Sequence, residues 1–312
     1  MKEPGLKGSF QSLFHRKYIE KTAVNAFDLA IEAGECVGLI GPNGAGKTTL
    51  VKMLTGIIAP TSGEIAVLGY YPNRLENAFK KRFALVMGQK SQLFFELTPM
   101  DTFQLFRSLY EIPQAVYQRN MQELVDWFNM KDFLNVQVRT LSLGERMKME
   151  LIVALLHEPG VLFLDEPTIG LDAVAQRQIR TFLHTVNRER GVTILLTSHY
   201  MEDVRSLCPR SVVIGNGKKL YDGSTESLFD TYSTHRKITI QFEPETHLAL
   251  PQNATLLEQS PDKTVFMLPR TQSAQTISEL MHAHPLRDIS IEEEDIGRIV
   301  ERIYAGQEAK PC

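Results

Sequence analysis

Gly41-Pro42-Asn43-Gly44-Ala45-Gly46-Lys47-Thr48-Thr49 fits the pattern G-x-x-x-x-G-K-S/T. Glu35-Cys36-Val37-Gly38-Leu39-Ile40 precedes it and reads as a short apolar strand, and Leu50-Val51-Lys52-Met53-Leu54 follows as a helix. A strand, a glycine turn and a helix start are the setting in which this pattern holds phosphate. The backbone N–H groups of the loop form a nest for anionic oxygen, and the helix start adds the positive end of its dipole. The glycines permit backbone angles that other residues resist. Lys47 has the reach for β- and γ-phosphates, and Thr48 offers a hydroxyl to Mg²⁺. A glycine-rich turn without a ligand is the plain alternative, and the acids described below argue against it.

The chain has 312 residues, enough for one large domain or two. Its formal net charge of −3 gives no sign of a nucleic-acid-binding chain. Lys80-Lys81-Arg82 reads as a solvated helix face. Cys36, Cys208 and Cys312 are odd in number and far apart, with no disulfide framework or zinc spacing, which suits a reducing cytosol. Met1 to Ser12 has no apolar run of signal-peptide length. No stretch approaches the roughly 18 consecutive apolar residues of a membrane span. If the protein works at a membrane, another chain crosses it.

Upstream of the loop, Ala26-Phe27-Asp28-Leu29-Ala30-Ile31 alternates and predicts a strand with Phe27, Leu29 and Ile31 on one face. Tyr18 lies further upstream, where a ring could stack on adenine; taken alone, ordinary packing is the favoured reading. Downstream, Pro60-Thr61-Ser62-Gly63 marks a turn, Ile65-Ala66-Val67-Leu68 a strand, residues 74–82 a charged helix and Phe83-Ala84-Leu85-Val86-Met87 another strand. Gln89 follows that strand's carboxyl end. A glutamine there can orient a water or a metal ion, although without context it reads as a surface amide.

From about residue 98 to 150 the pattern turns helical. Thr98-Pro99 opens a helix with proline in its first turn, carrying Phe103, Leu105, Phe106, Leu109 and Tyr110. A second helix follows Pro113, with Met121, Leu124, Val125 and Phe128 on one stripe that reads as core. Leu141-Ser142-Leu143-Gly144-Glu145-Arg146 then gives Ser-x-x-Glu ahead of Met147, Met149, Leu151 and Ile152, a capping box. A helix start with a serine and a glycine is also an anion site, and the two readings are compatible.

Val161-Leu162-Phe163-Leu164-Asp165-Glu166 reads as a strand buried on both faces of a parallel sheet. Acids at such a strand's carboxyl end lie where ligands bind in this fold class. Asp165 is placed to hold Mg²⁺ directly or through water, and Glu166 to orient and deprotonate an attacking water. Two acids capping the next turn is the plain alternative. Thr168-Ile169-Gly170-Leu171-Asp172 is a loop, and 173–189 a helix. Thr193-Ile194-Leu195-Leu196-Thr197-Ser198-His199 repeats the buried strand with a polar end. A lone histidine is most often structural; the place of His199 favours a γ-phosphate contact. Val212-Val213-Ile214, Gly215-Asn216-Gly217 and Lys219-Leu220-Tyr221 make a hairpin with a primed turn. After a linker at Thr231–His235 come strands at Ile238, Ile240, Phe242 and at Val265, Met267, a helix over 273–284, a strand at Asp288–Ile291 and an amphipathic helix over Asp295–Tyr304.

Taken in this order, the motifs resemble the ATP-binding-cassette (ABC) ATPases over about residues 14–230. Gly41–Thr49 matches the Walker A loop, Gln89 the glutamine loop, Leu141–Glu145 the family signature, Val161–Glu166 Walker B, Ile169–Asp172 the D-loop and His199 the switch histidine. Tyr18 stands where the adenine-stacking aromatic would be. The resemblance implies an α/β fold, a P-loop NTPase core of ABC-ATPase type over 1–230 with a helical subdomain insert, a linker at 231–236 and a small α+β C-terminal domain at 237–312. It implies ATP and Mg²⁺ as cofactors, with Thr48, Gln89 and Asp165 on the metal and Glu166, His199 and Gln89 at the chemistry. Asp172 joins the nucleotide-binding set. Two copies would dock head to tail, with Ser142 and Gly144 of one reaching the γ-phosphate held by the other. The signature departs from Leu-Ser-Gly-Gly-Gln at Leu143 and Glu145. Glu145 brings a carboxylate near the phosphates unless the capping box turns it back to the Ser142 backbone, so the departure bears on rate more than on chemistry. The Gly88-Gln89-Lys90-Ser91-Gln92 loop, the signature and the C-terminal extension are most similar to stand-alone ATPase subunits of bacterial exporters. That implies a separate integral-membrane permease as partner, no nucleic acid, and a cytoplasmic place on the inner face of the cell membrane. Phe94 and Phe95 are candidates for the permease contact, with core packing the equal alternative.

A soluble ABC-type ATPase acting on ribosomes or nucleic acid is the second reading. Against it stand the single cassette and an interval between loop and signature of under 100 residues with no heptad run. A third reading concerns 236–312 alone, as a regulatory or dimer-forming module whose deletion leaves nucleotide binding intact.

Overall fold

The computed structural model describes residues 22–198, 200–243, 250–283, 285–294 and 296–308. Tyr18 and His199 lie outside the described residues. In chain order the elements are β1 (Cys36–Ile40), α1 (Lys47–Leu54), α2 (Asn77–Lys80), β2 (Phe83–Met87), α3 (Pro99–Leu109), α4 (Gln114–Phe128), α5 (Leu143–Leu155), β3 (Val161–Asp165), α6 (Ala173–Arg190), β4 (Thr193–Thr197), α7 (Met201–Leu207), β5 (Arg210–Gly215), β6 (Lys218–Ser224), α8 (Thr225–Tyr232), β7 (His235–Phe242), β8 (Thr255–Ser260), β9 (Lys263–Pro269), α9 (Arg270–Ala283), β10 (Leu286–Glu293) and α10 (Ile296–Glu308).

The apolar run before the glycine loop becomes the middle of a six-stranded sheet of order β2-β3-β4-β1-β5-β6. The first five strands are parallel and β6 closes one edge antiparallel to β5. Every residue of β1, β3 and β4 is buried. That follows from covering both faces of a parallel sheet, and it is why these strands read as continuous apolar runs. Alternate side chains still divide between the faces. Val37, Leu39, Val161, Phe163 and Leu195 pack with Leu50 and Val51 of α1, while Ile40, Leu162, Leu164, Ile194 and Leu196 pack under the helices of the other face.

Local chemistry sets the helix starts. Thr98 and Asp101 form a reciprocal capping box at α3, with Pro99 at its first position. Phe103 is fully buried in the main core, whereas Leu105 and Leu109 on the same helix are exposed. Leu124, Val125 and Phe128 of α4 are buried as the stripe predicts.

Two predicted strands do not form. Among the described residues, 26–31 have no ladder, although Phe27, Leu29 and Ile31 do pack against the α1 face. Their backbone is held by side chains instead: Lys219 Nζ donates to the Asp28 carbonyl at 2.6 Å and Arg210 to the Ala30 carbonyl at 3.0 Å. Residues 65–68 shrink to one bridge, Val67 with Tyr70, around the left-handed pair Leu68 and Gly69. The charged helix expected over 74–82 is only α2, preceded by a 3-10 turn at Pro72–Arg74. The hairpin at 212–221 is present, and Asn216 and Gly217 both have positive φ, as a primed turn needs.

The C-terminal strands form a separate antiparallel sheet, β10-β7-β9-β8, whose Ile238, Ile240, Phe242, Phe266 and Leu268 pack with Leu280 of α9. Strand β8 was not expected from the sequence. α10 does not join that cluster: Ile299, Val300 and Ile303 belong to the main core with Val213, Leu228 and Phe229.

Candidate functional site

The carboxyl ends of β1, β3 and β4 lie side by side, and the site is built on them. Gly46 takes a left-handed backbone (φ 113°), and a Cβ there would stand 2.5 Å from the Ala23 carbonyl. Only glycine fits this corner, where the loop turns into α1. Lys47 follows, 5% exposed, and donates to the Gly41 carbonyl at 2.6 Å and the Pro42 carbonyl at 3.2 Å. Burial lowers its pKa, while the charges of Glu166 and then Asp165 raise it again. The result is a buried ammonium facing two carboxylates across a concave loop.

Asp165 ends β3 and is buried. Its Oδ2 accepts from Thr48 Oγ1 at 3.0 Å and its Oδ1 from Thr197 Oγ1 at 2.6 Å. Both oxygens are therefore oriented, one from α1 and one from β4. A carboxylate beside a threonine hydroxyl is a hard oxygen donor set of the kind Mg²⁺ prefers. Glu166 is the next residue and leaves the strand in a left-handed conformation (φ 56°). Its N–H is held by the Thr197 carbonyl at 3.0 Å and by Thr197 Oγ1 at 3.2 Å. Such strain in a non-glycine residue aims the side chain away from the strand's alternation.

Gln89 stands exposed in the turn after β2. That turn is welded to β3: Gly88 N–H donates to the Asp165 carbonyl at 2.9 Å, and a Cβ on Gly88 would come 2.1 Å from the Glu166 carbonyl. The close approach explains a glycine ahead of Gln89.

Ser142, Gly144 and Asp172 form a second group. Ser142 Oγ accepts from Glu145 N–H at 3.3 Å, and Glu145 Oε2 accepts from Ser142 N–H at 2.8 Å. The carboxylate that departs from the signature is turned back onto the helix start, as the capping box predicts. Asp172 caps α6 by accepting from Ala175 N–H at 2.8 Å. A Cβ on Gly144 would meet Ala175 Cβ at 3.1 Å, and one on Gly170 would meet Leu143 at the same distance, so the starts of α5 and α6 touch.

Three supports escaped sequence reasoning. Thr197 aligns both Asp165 and Glu166. Asp203, fully buried, accepts from Thr168 Oγ1, from Ser198 Oγ at 3.0 Å and from Arg180 at 2.9 Å. It thereby fixes the residue before the 169–172 loop, the helix α6 that follows the loop, and the residue before His199. Glu150, buried on α5, is the third. The sequence offered half the signal for Thr197, a polar residue at the end of a buried strand; that this strand lies beside the acid-bearing one shows only in the fold. Thr197→Val removes both of its hydroxyl contacts while filling the same space. It should lower the rate of phosphate release about tenfold with little change in nucleotide affinity, the usual size for a group that orients a metal-binding carboxylate.

A family model for "ABC transporter" matches residues 24–169. The ABC transporter ATP-binding protein NatA of Bacillus subtilis (strain 168) is 35% identical over 209 residues, 67% of this chain and 85% of that protein. The Nod factor export ATP-binding protein I of Cupriavidus pinatubonensis (strain JMP 134 / LMG 1197) is 35% identical over 217 residues, 69% of this chain and 66% of that one. A solved ATP-binding subunit of an ABC transporter superposes with a TM-score of 0.63 at 27% identity, covering 69% of this chain and 89% of that chain. With its phosphate loop, paired acids and parallel sheet in this arrangement, the chain belongs to the ABC transporter family, as an ATP-binding subunit and an ATPase.

Proposed function

We propose that this subunit energises export of a substrate through a separate membrane permease, hydrolysing MgATP between two copies of itself. The observation that carries the catalytic part is Asp165, pinned between Thr48 and Thr197 beside the buried Lys47. In this reading the amides of residues 41–49 and the Lys47 ammonium hold the phosphates. Thr48 and Asp165, with Gln89 from the neighbouring turn, hold Mg²⁺, which neutralises phosphate charge when bound. Glu166 receives the proton of the attacking water, and His199 and Tyr18 complete the γ-phosphate and adenine contacts. The exposed Ser142 and the half-buried Gly144 at the start of α5 serve the nucleotide of the second copy, with Asp172 beside them.

Among the described residues no helix is long and apolar enough to cross a membrane. In this reading the transport path belongs to a partner, and the inner face of the cell membrane is the place it assigns. Export rather than import is supported by the relative named for Nod factor export. Phe94 and Phe95, about half exposed beyond the Gln89 turn, suit a contact with the permease.

The test is a pull-down from solubilised host membranes, with Glu166→Gln as bait and with or without MgATP. A polytopic membrane protein is expected to co-purify, more strongly with MgATP. Recovery of ribosomes or nucleic acid with no membrane protein would leave the ATPase standing and remove the transporter subunit.

A further inference from the structure

Glu150 lies on α5, two turns beyond Ser142, and is 3% exposed. An apolar residue would cover this face of the helix without desolvating a charge. Instead the helix buries a carboxylate, and one short segment meets it. Oε1 accepts from Ser91 Oγ, from Gln92 N–H at 2.9 Å and from Leu93 N–H at 3.3 Å; Oε2 accepts from Gln92 N–H at 3.1 Å. Ser91 Oγ in turn accepts from Leu93 N–H at 3.1 Å, and Gln92 Nε2 donates to the Leu85 carbonyl in β2 at 2.8 Å. Burial raises the Glu150 carboxyl above its ordinary range, and Ser91, the two amides and Arg146 draw it back.

The same segment is strapped at its far end. Arg146, one turn before Glu150, sits 5.2 Å from the Phe95 ring. Arg139 N–H donates to the Phe95 carbonyl at 3.1 Å and Val138 N–H to the Leu97 carbonyl at 3.0 Å. The chain from Ser91 to Leu97, two residues beyond Gln89, is thus fastened to the residues that lead into α5 and to α5 itself.

We infer that Glu150 is a positioning residue that locks the turn carrying Gln89 to the helix carrying Ser142 and Gly144, so that the two halves of the nucleotide site move as one body. The inference rests on the roles proposed above for Gln89 and Ser142. It explains why the segment after Gln89 offers three hydrogen-bond donors to a single buried acceptor: a helix packed only by apolar contacts could slide past the turn.

The test is a double-mutant cycle in the full-length chain, read by steady-state ATP hydrolysis and equilibrium ATP binding. Glu150→Ala should lower kcat about tenfold with ATP affinity within about twofold, within the range by which residues between sites alter coupling. Glu150→Gln keeps a carbonyl acceptor for Ser91 and Gln92 and should recover most of the rate. In a Gln89→Ala background, Glu150→Ala should cost nothing further, because its effect runs through that turn. Losses that multiply in the double variant, while Gln89→Ala alone is impaired, overturn this inference and leave the role of Gln89 intact. Unchanged hydrolysis in Gln89→Ala alone overturns the role of Gln89 and the inference with it. Should Glu150→Ala fail to fold, Ser91→Ala takes its place: it removes one donor, leaves the two backbone amides, and should lower kcat about threefold only where Gln89 is present.

Discussion

Glu166→Gln is expected to bind ATP with nearly wild-type affinity and to hydrolyse it about a thousandfold more slowly, the middle of the range for losing a general base. The substitution is nearly isosteric, and the backbone that aims the side chain does not depend on the carboxylate. It is set by φ 56° and by the Thr197 contacts to the Glu166 N–H. What changes is proton affinity, because an amide cannot take a proton from water. A thousandfold corresponds to about 4 kcal/mol of barrier. Binding is spared because the phosphate contacts belong to the loop and to Lys47. Glu166 does contribute to the field that keeps Lys47 charged, but Asp165 acts in the same direction and remains. Phosphate release and titration with a fluorescent nucleotide analogue measure the two effects separately. Hydrolysis at the wild-type rate would remove Glu166 as the base; a collapse of binding would instead make it part of the phosphate-binding field.

What the sequence made legible was local. The loop, the strand before it and the helix after it are contiguous, and the Ser142–Glu145 capping box closes within one turn. Each could be read from neighbours alone. Period-two alternation at 26–31 was correct about which side chains face inward, since Phe27, Leu29 and Ile31 pack as expected. It was silent on whether a partner strand was present; among the described residues none pairs with 26–31, and there inward-facing side chains did not make a strand. Strand β8 failed in the opposite way: Thr255–Ser260 is almost wholly exposed, so burial left no pattern to read, and its register comes from β9. The supports of the site were hidden by separation along the chain. Thr197 lies 32 residues from Asp165, and Glu150 lies 58 from Gln92. Nothing in either neighbourhood announces the partner; only the strand order, which puts β4 next to β3 and α5 across β2, brings them together.

Removing residues 236–312 is expected to destabilise the ATPase core itself rather than detach an independent module. The second sheet and α9 enclose apolar residues of their own, and on that ground alone the region could be dispensable. The last helix alters the balance. Ile299, Val300 and Ile303 are 1%, 3% and 1% exposed, and they pack in the main core with Val213 of β5 and with Leu228 and Phe229 of α8. Arg302 donates to the Tyr232 carbonyl at 2.7 Å, fastening α10 to the end of α8. Arg205 of α7 pairs with Glu293 at 3.1 Å. Deleting α10 uncovers the apolar residues it covers, Val213, Leu228 and Phe229 among them, at up to about 1.5–3 kcal/mol for each side chain. The sum is comparable with the whole stability of an ordinary domain, about 5–15 kcal/mol. Residues 1–235 alone should therefore melt at least about 10 °C lower than the full chain, or precipitate, and should lose ATP binding through unfolding. Ile303→Asp in the full chain separates the helix from the rest of the region: it keeps the second sheet and buries an unpaired carboxylate where α10 packs on β6 and α8. It should reproduce most of the destabilisation, and a temperature melt followed by both circular dichroism and nucleotide fluorescence would show the two signals lost together. A truncated chain that melts with the full-length midpoint and binds ATP with unchanged affinity would show that α10 only rests on the core and does not complete it.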